Sequence, residues 1–183
     1  TDSSNEVLPS SKEVSIKLIF IYLFLTLACF SSYKLFGMNI FDSITHSMTT
    51  IATGGFSNYN QSIGYFDSAK IEFTSIIFIL MGSIPFIAYV KFINGNRKIF
   101  QNDTQIKTFI KLILISILIL FIYLFIKNGK VVFLDFRSII FNIVSILTGT
   151  GYISGDYDKW GSFPLLYFLI LMFIGGCAGS TTC

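Results

Sequence analysis

The sequence predicts an all-α integral membrane protein built from a repeated unit: a span, a re-entrant short helix, a Gly-Thr loop and a second span. Three observations predict it. The 183 residues are 53% hydrophobic and only 13% charged, about half the charged share of an ordinary soluble domain. Four apolar runs punctuate the chain, and the first three have the roughly 20 residues a helix needs to cross a bilayer. Two intervening segments are half polar and too short to span, and both end in a cluster of Gly and Thr followed by an aromatic residue.

The same composition removes other classes. A mean hydropathy of +0.72 excludes intrinsic disorder. The net charge of +3 is small, and no run of Lys and Arg interleaves with aromatics, so no nucleic-acid partner is expected. Cys29, Cys177 and Cys183 lack metal-ligand spacing and His46 stands alone. Neither a disulfide framework, a zinc site nor an organic cofactor is expected. The spans carry no acid–base pair or activated nucleophile, so the chain does not read as an enzyme. The chain opens on Thr1, its polar start lacks the order of a signal peptide, and it stops just after a Gly-rich stretch. Both ends read as cut, and the chain as a segment of a longer protein.

The elements follow in order. Residues 1–15 form a polar lead-in, expected on the cytoplasmic side. The first span is 16–36, with Lys12 and Lys17 before it and Lys34 near its end. The first re-entrant segment, 40–57, opens on Asp42, where a carboxylate suits a helix N-terminus, and continues as a short helix over 43–51. The second span is 73–93, with Pro85 expected to kink it. The loop 94–105 follows. Lys91, Arg97, Lys98, Lys107 and Lys111 stand there against Asp103, which makes it cytoplasmic by the positive-inside rule. The third span is 106–126. The second re-entrant segment, 134–154, opens on Asp135, carries Arg137 as an expected interfacial anchor, and continues as a short helix over 139–147. The fourth run, 163–176, ends in glycines and reads as a truncated or broken span. The units are thus 16–93 and 106–183. A shift of about 96 residues lays Gly55-Phe56 on Gly151-Tyr152 and the first span on the third, the kind of internal repeat from which many transporters are built.

The two clusters are Ala52-Thr53-Gly54-Gly55-Phe56 and Thr148-Gly149-Thr150-Gly151-Tyr152. Their chemistry suits ion dehydration. A cation leaving water needs its hydration shell replaced by oxygens, which backbone carbonyls supply in K⁺-channel filters. Gly adopts the required backbone conformations without strain, and Thr is expected to add a hydroxyl oxygen at the same radius. The aromatic that follows is expected to pack on its own preceding helix. The C-terminal ends of the short helices direct carbonyl dipoles at the same place. Ser47, Thr49, Asn142 and Ser145 offer those helices polar partners, and His46 reads as a packing or hydrogen-bonding residue rather than a proton switch. A third stretch, 175–182, is all Gly, Ala, Ser and Thr but for Cys177. It cannot hold a stiff helix in mid-membrane, and it lacks the Lys of a phosphate-binding loop.

On Thr49-Thr50-Ile51-Ala52-Thr53-Gly54-Gly55-Phe56-Ser57, on Thr148-Gly149-Thr150-Gly151-Tyr152, and on Gly175-Gly176-Cys177-Ala178-Gly179-Ser180-Thr181-Thr182, the chain resembles the TrkH/KtrB/HKT family of potassium transport subunits. The family fuses four units of K⁺-channel type in one chain, and this segment resembles the second and most of the third. The resemblance implies a multi-pass pore-forming subunit for K⁺ uptake through the plasma (inner) membrane. It implies that Gly55 and Gly151 are central to K⁺ coordination, with Ala52, Thr53, Gly54, Thr148, Gly149 and Thr150 beside them. It also implies that Gly175, Gly176, Gly179, Ser180 and Thr181 form a gate below the filter. Its partners would be membrane lipid, a second copy of the full-length subunit, and a cytoplasmic nucleotide-binding regulatory subunit. Two departures stand out: Cys183 where the family has Gly, and Gly149 where a K⁺ channel has Thr. The alternatives are a Na⁺-permeable or poorly selective cation transporter of the same fold, and a non-transporting membrane remnant.

Overall fold

A computed structural model describes residues 11–130 and 132–182; the expectations for 1–10 and for Cys183 lie outside the described residues. The described residues form eight helices and two short 3-10 turns. Helix α1 (Ser11–Leu35) and helix α6 (Thr104–Asn128) are each long and apolar enough to cross a membrane. Their burial shows which side faces protein. In α1 the buried residues Ile21, Leu25, Cys29 and Tyr33 recur every fourth position, while Phe20, Phe24 and Leu27 stand exposed. In α6 the buried stripe is Ile106, Phe109, Ile113, Ser116, Leu120 and Leu124, with Leu114, Leu118 and Phe125 outside. A helix apolar on all sides but buried on one suits a bilayer, where lipid covers the rest.

Helix α2 (Ile40–Ile51) and helix α7 (Phe133–Leu147) are the short re-entrant helices. Each starts as its sequence dictates. The Asn39 side chain accepts the Asp42 amide at 2.7 Å, and the Asp135 carboxylate accepts the Val132 amide at 3.2 Å, which satisfies donors that a helix start leaves free. α7 starts earlier than the expected 139 and is the most enclosed element: Ile139, Phe141, Ile143, Val144 and Leu147 are all buried. Around α2 pack α1 and helix α3 (Ala69–Gly82); around α7 pack α6, helix α8 (Ser162–Met172) and α3 again. Tyr33 ties the first group together. Its hydroxyl meets Thr50 on α2 and Ser75 on α3, both at 2.8 Å.

Two expectations change. The second span is not kinked but broken: α3 stops at Gly82, helix α4 (Phe86–Ile93) starts after Pro85, and the two axes differ by 82°. A kink at Pro85 would lose one hydrogen bond; here several backbone groups leave the helical ladder together. After α4 the chain passes through helix α5 (Ile99–Asn102) into α6.

Arg137 is not an interfacial anchor. It is buried, with its Nε 2.9 Å from Glu72 Oε2 on α3 and a terminal nitrogen 3.3 Å from Asp67. The Glu72 side chain is 1% exposed, whereas that of Asp67 is 89% exposed. The Glu72 contact is an ion pair without an aligned hydrogen bond, and it joins the outer helix of one unit to the re-entrant helix of the next. Outside it, the Gly64 amide donates to the Ile153 carbonyl at 3.0 Å and the Ile153 amide to Ser62 Oγ at 3.2 Å.

Removing one member of a buried ion pair strands the other charge, at a cost of about 3–5 kcal/mol, while replacing both with apolar groups is often neutral. Arg137→Met alone is therefore expected to lower sharply the thermal midpoint of the detergent-purified full-length protein, and the double variant Glu72→Leu/Arg137→Met to recover most of it. Equal losses in the single and double variants would disprove the coupling.

Candidate functional site: the paired Gly-Thr loops

Both loops leave their helices the same way. α2 ends at Ile51 and α7 at Leu147, and the following Ala52 and Thr148 keep helical angles (φ −72° and −80°). Next come residues of positive φ, Thr53 at 47° and Gly149 at 68°. Gly54 and Thr150 are of ordinary φ, and Gly55 and Gly151 return to positive values of 65° and 82°. Alternating the sign of φ turns successive carbonyls toward one side, and glycine permits it without strain. Thr53 is the strained copy, since a β-branched residue rarely adopts this conformation. Among the described residues, no hydrogen-bond donor meets the carbonyls of Thr53, Gly54, Gly55, Thr148, Gly149, Thr150 or Gly151. The Ala52 carbonyl differs, accepting the Thr53 hydroxyl at 2.8 Å.

The same bonds fasten both loops to their own helices. Thr49 donates to the Phe56 carbonyl at 3.0 Å, and Ser145 to the Tyr152 carbonyl at 2.7 Å. His46 and Asn142 occupy matching turns. His46 Nδ1 lies 2.8 Å from the Asp42 carbonyl, which only accepts, so Nδ1 carries the proton, and in the neutral ring Nε2 accepts from Ser57 at 2.9 Å. The Asn142 side chain accepts the Ser154 amide at 3.5 Å. His46 is fully buried and acts as the hydrogen-bonding residue expected of it. Asp42 does more than start a helix. Its carboxylate accepts from Asn58 at 3.0 Å and from the Tyr59 hydroxyl at 2.7 Å, pinning the outer connection. That bond pushes the Tyr59 phenol up to about 12.

The loops touch at Gly55. A Cβ there would sit 1.8 Å from the Thr150 carbonyl oxygen, so no side chain fits. At Gly151 the equivalent space is open, and only its φ disfavours a side chain. The aromatics do not behave as expected. Tyr152 reaches beyond its own unit: its hydroxyl meets α2 of the other unit at Thr49, the His46 carbonyl at 3.3 Å and Thr50 at 3.4 Å. Phe56, its counterpart, is 77% exposed. The threonine hydroxyls are also engaged within the protein, Thr148 with Thr150 at 2.7 Å and Thr53 with Ala52.

The third stretch starts where α8 stops, at Met172. Gly175 and Gly179 have positive φ (73° and 75°), and a Cβ on Gly176 would sit 2.4 Å from the Thr182 hydroxyl. Ser180 bonds the Cys177 carbonyl and the Thr182 hydroxyl, both at 2.6 Å. Thr181 Oγ1 lies 2.7 Å from the Ile51 carbonyl, at the end of α2, and 3.5 Å from the Thr53 hydroxyl. The structure thus brings the first Gly-Thr loop beside the second and sets the Gly-rich loop behind the end of α2. Sequence reasoning missed Tyr33 and Glu72 as members of this framework. The signal existed for Glu72, an acidic residue directly before an apolar run, because a carboxylate at membrane depth is retained only with a partner.

The matched turns make a specific expectation. His46→Asn keeps a polar tether at the position where the other unit uses Asn142, and is expected to hold the thermal midpoint close to that of the parent full-length protein. His46→Leu takes the acceptor from the Ser57 hydroxyl and removes one of the donors to the Asp42 carbonyl, and is expected to cost about 1–3 kcal/mol. Equal midpoints for the two variants would contradict the tether.

The model of the family described as "TrkH: Cation transport protein" matches residues 3–183. The chain is 36% identical to the "Trk system potassium uptake protein TrkI" of Halomonas elongata, over all of this chain and 37% of that protein. It is 34% identical to the "Trk system potassium uptake protein TrkH" of Escherichia coli K12, over 97% of this chain and 37% of that protein. The fold superposes on the crystal structure of the potassium transporter TrkH from Vibrio parahaemolyticus with a TM-score of 0.89, at 35% identity, over 97% of this chain and 39% of that one. The chain therefore spans little more than a third of the length of the curated relatives it matches. With a matching family model, relatives above 30% identity and a common fold, the chain belongs to the TrkH family of cation transport proteins.

Proposed function

We propose that this chain is part of the pore-forming subunit of a potassium uptake system in the plasma membrane. K⁺ sheds water against the backbone carbonyls of two of its filter loops, Ala52, Thr53, Gly54 and Gly55 in unit 16–93 and Thr148, Gly149, Thr150 and Gly151 in unit 106–183. The observation that carries the reading is the pair of loops with one alternating backbone conformation and, Ala52 apart, carbonyls that no described donor meets. Bare carbonyls at membrane depth are costly unless they line a wet or ionic path, and a dehydrated cation is the partner they suit.

The repeat supports a closed ring in the longer protein. Tyr152 of the second unit seats on the re-entrant helix of the first, and Gly55 of the first is filled by Thr150 of the second. The same contacts are unmet at exposed Phe56 and beside Gly151, the two edges onto which further units would fit head to tail. The Gly-rich loop, with Gly175, Gly176, Gly179, Ser180 and Thr181, gates the path on the cytoplasmic side. The basic loop 94–105 and its flanks face the cytoplasm, where a nucleotide-binding regulatory subunit docks, and full-length subunits pair as homodimers.

The Na⁺-permeable alternative rests on selectivity that depends partly on the filter of the family's first unit, and the side-chain oxygen missing at Gly149 adds to it. The matching Thr53 turns its hydroxyl onto the Ala52 carbonyl at 2.8 Å, so the second ground loses its force.

The test uses the full-length parent gene in cells that lack their own K⁺ uptake. Rb⁺ and Na⁺ uptake and growth at limiting K⁺ are compared for the parent, Gly55→Ser and Gly151→Ser. Collapse of Rb⁺ uptake, or a turn to Na⁺ permeation, is expected in both variants. Unchanged uptake in both removes the filter assignment.

A further inference from the structure

The Gly-rich loop is seated in the break of the other unit. Breaking the span after Gly82 takes the Met81, Gly82 and Ser83 carbonyls off the helical ladder, and these three find donors. The Met81 carbonyl accepts the Tyr89 hydroxyl at 2.7 Å. The Gly82 carbonyl accepts the Thr181 amide at 3.1 Å and lies 3.0 Å from the Thr181 hydroxyl. The Ser83 carbonyl accepts the Cys177 amide at 3.3 Å. On the other side of Pro85, the Phe86 amide donates to the Gly179 carbonyl at 2.9 Å. Two interrupted spans thus satisfy each other's backbone, which mid-membrane irregular chain requires.

We propose that the break between α3 and α4 is the seat of the Gly-rich loop, that Thr181 is the positioning residue that clasps the loop into it, and that ions pass only when the loop leaves this seat. This rests on the pore reading above and adds to it a fixed half for the gate, supplied by the first unit. Thr181 suits the role by position. Its single hydroxyl touches the carbonyl that ends α2 and the carbonyl that ends α3, while Thr53 of the first Gly-Thr loop lies 3.5 Å away. Gly82 is the matching feature of the seat: a Cβ there would sit 2.8 Å from the Ile51 carbonyl and 3.1 Å from the Thr181 hydroxyl. The small residue lets α2, α3 and the loop converge on one hydroxyl.

A reversible lock tests this. The Cys177 amide bonds the Ser83 carbonyl at 3.3 Å, so Ser83→Cys brings a thiol near the native Cys177, to be joined by oxidation or, where the Cβ directions diverge, by a flexible bis-thiol-reactive reagent. The variant is made in the full-length protein with every other cysteine replaced, and expressed in cells lacking K⁺ uptake. Disulfide formation is read by mass spectrometry, independently of transport. Oxidation is expected to join the thiol introduced by Ser83→Cys to Cys177 and cut Rb⁺ uptake about tenfold or more, and reductant to restore it. The same background with Cys177→Ser is expected to ignore the oxidant.

Failure of both the oxidant and the flexible bis-thiol-reactive reagent to join the two positions in the folded protein overturns the seat, and a link that forms without slowing uptake overturns the claim that the loop must leave it. Absence of uptake in the unsubstituted full-length protein sinks the pore reading instead, so the two failures are distinct. Thr181→Val removes the clasp without changing shape and is expected to raise resting uptake about fivefold, whereas Thr181→Ser stays at the parent level. Uptake in Thr181→Val at or below the parent overturns the clasp.

Discussion

One constraint organises this structure: peptide groups at membrane depth need a partner inside the protein. Long helices meet it within themselves, as α1 and α6 do. Two departures from helix meet it by bonds between the units. The outer connections pair across units at Gly64 and Ile153, and the break after Gly82 pairs with the Gly-rich loop. The Gly-Thr loops leave a consecutive run of carbonyls that nothing described in the protein satisfies, and such a run suits a surface that meets something other than protein.

The two units solve one geometric problem with different side chains. A hydroxyl from the re-entrant helix holds the carbonyl of the aromatic residue in both, but it is Thr49 in one and Ser145 in the other. The next tether outward is an imidazole in one and a carboxamide in the other. The first left-handed position is Gly149 in the second unit and Thr53 in the first, where the strain is held by a hydrogen bond to Ala52 and by burial. Strain of this kind collects at functional positions. The repeat is therefore a repeat of backbone geometry, and residue identities drift as long as each bond survives.

The units are joined by contacts at three depths. Glu72 and Arg137 lie between α3 and α7, Tyr152 crosses to α2 beside the loops, and the Gly-rich loop engages the α3–α4 break at the end of α2. A buried ion pair adds little net stability over well-packed apolar groups; here it sets α3 against α7, the helix that leads into the second Gly-Thr loop. The collision that any side chain at Gly55 would make with Thr150 shows how close that register brings the two backbones.

Much of this protein was legible in its sequence. Apolar run length sets which segments span, because helix rise and bilayer thickness are fixed quantities. The Asp42 and Asp135 signals mark the first turns of the re-entrant helices, because a carboxylate is favoured near a helix N-terminus. The repeated Gly-Thr-aromatic clusters mark the two loops, because their backbone conformations suit few residues. What the sequence hid was everything that depends on a partner distant in the chain. Pro85 reads as a kink in isolation, and becomes a break only because residues 177–181 supply the hydrogen bonds that the broken helix gives up. Arg137 reads as a surface anchor until α3 brings Glu72 against it, and Tyr152 reads as support for its own helix until the packing of α3 on α7 carries it to the other. Local chemistry fixes what each segment does alone, whereas the tertiary structure decides which polar group satisfies which. In a membrane that choice is forced by proximity, because no water competes for the bond.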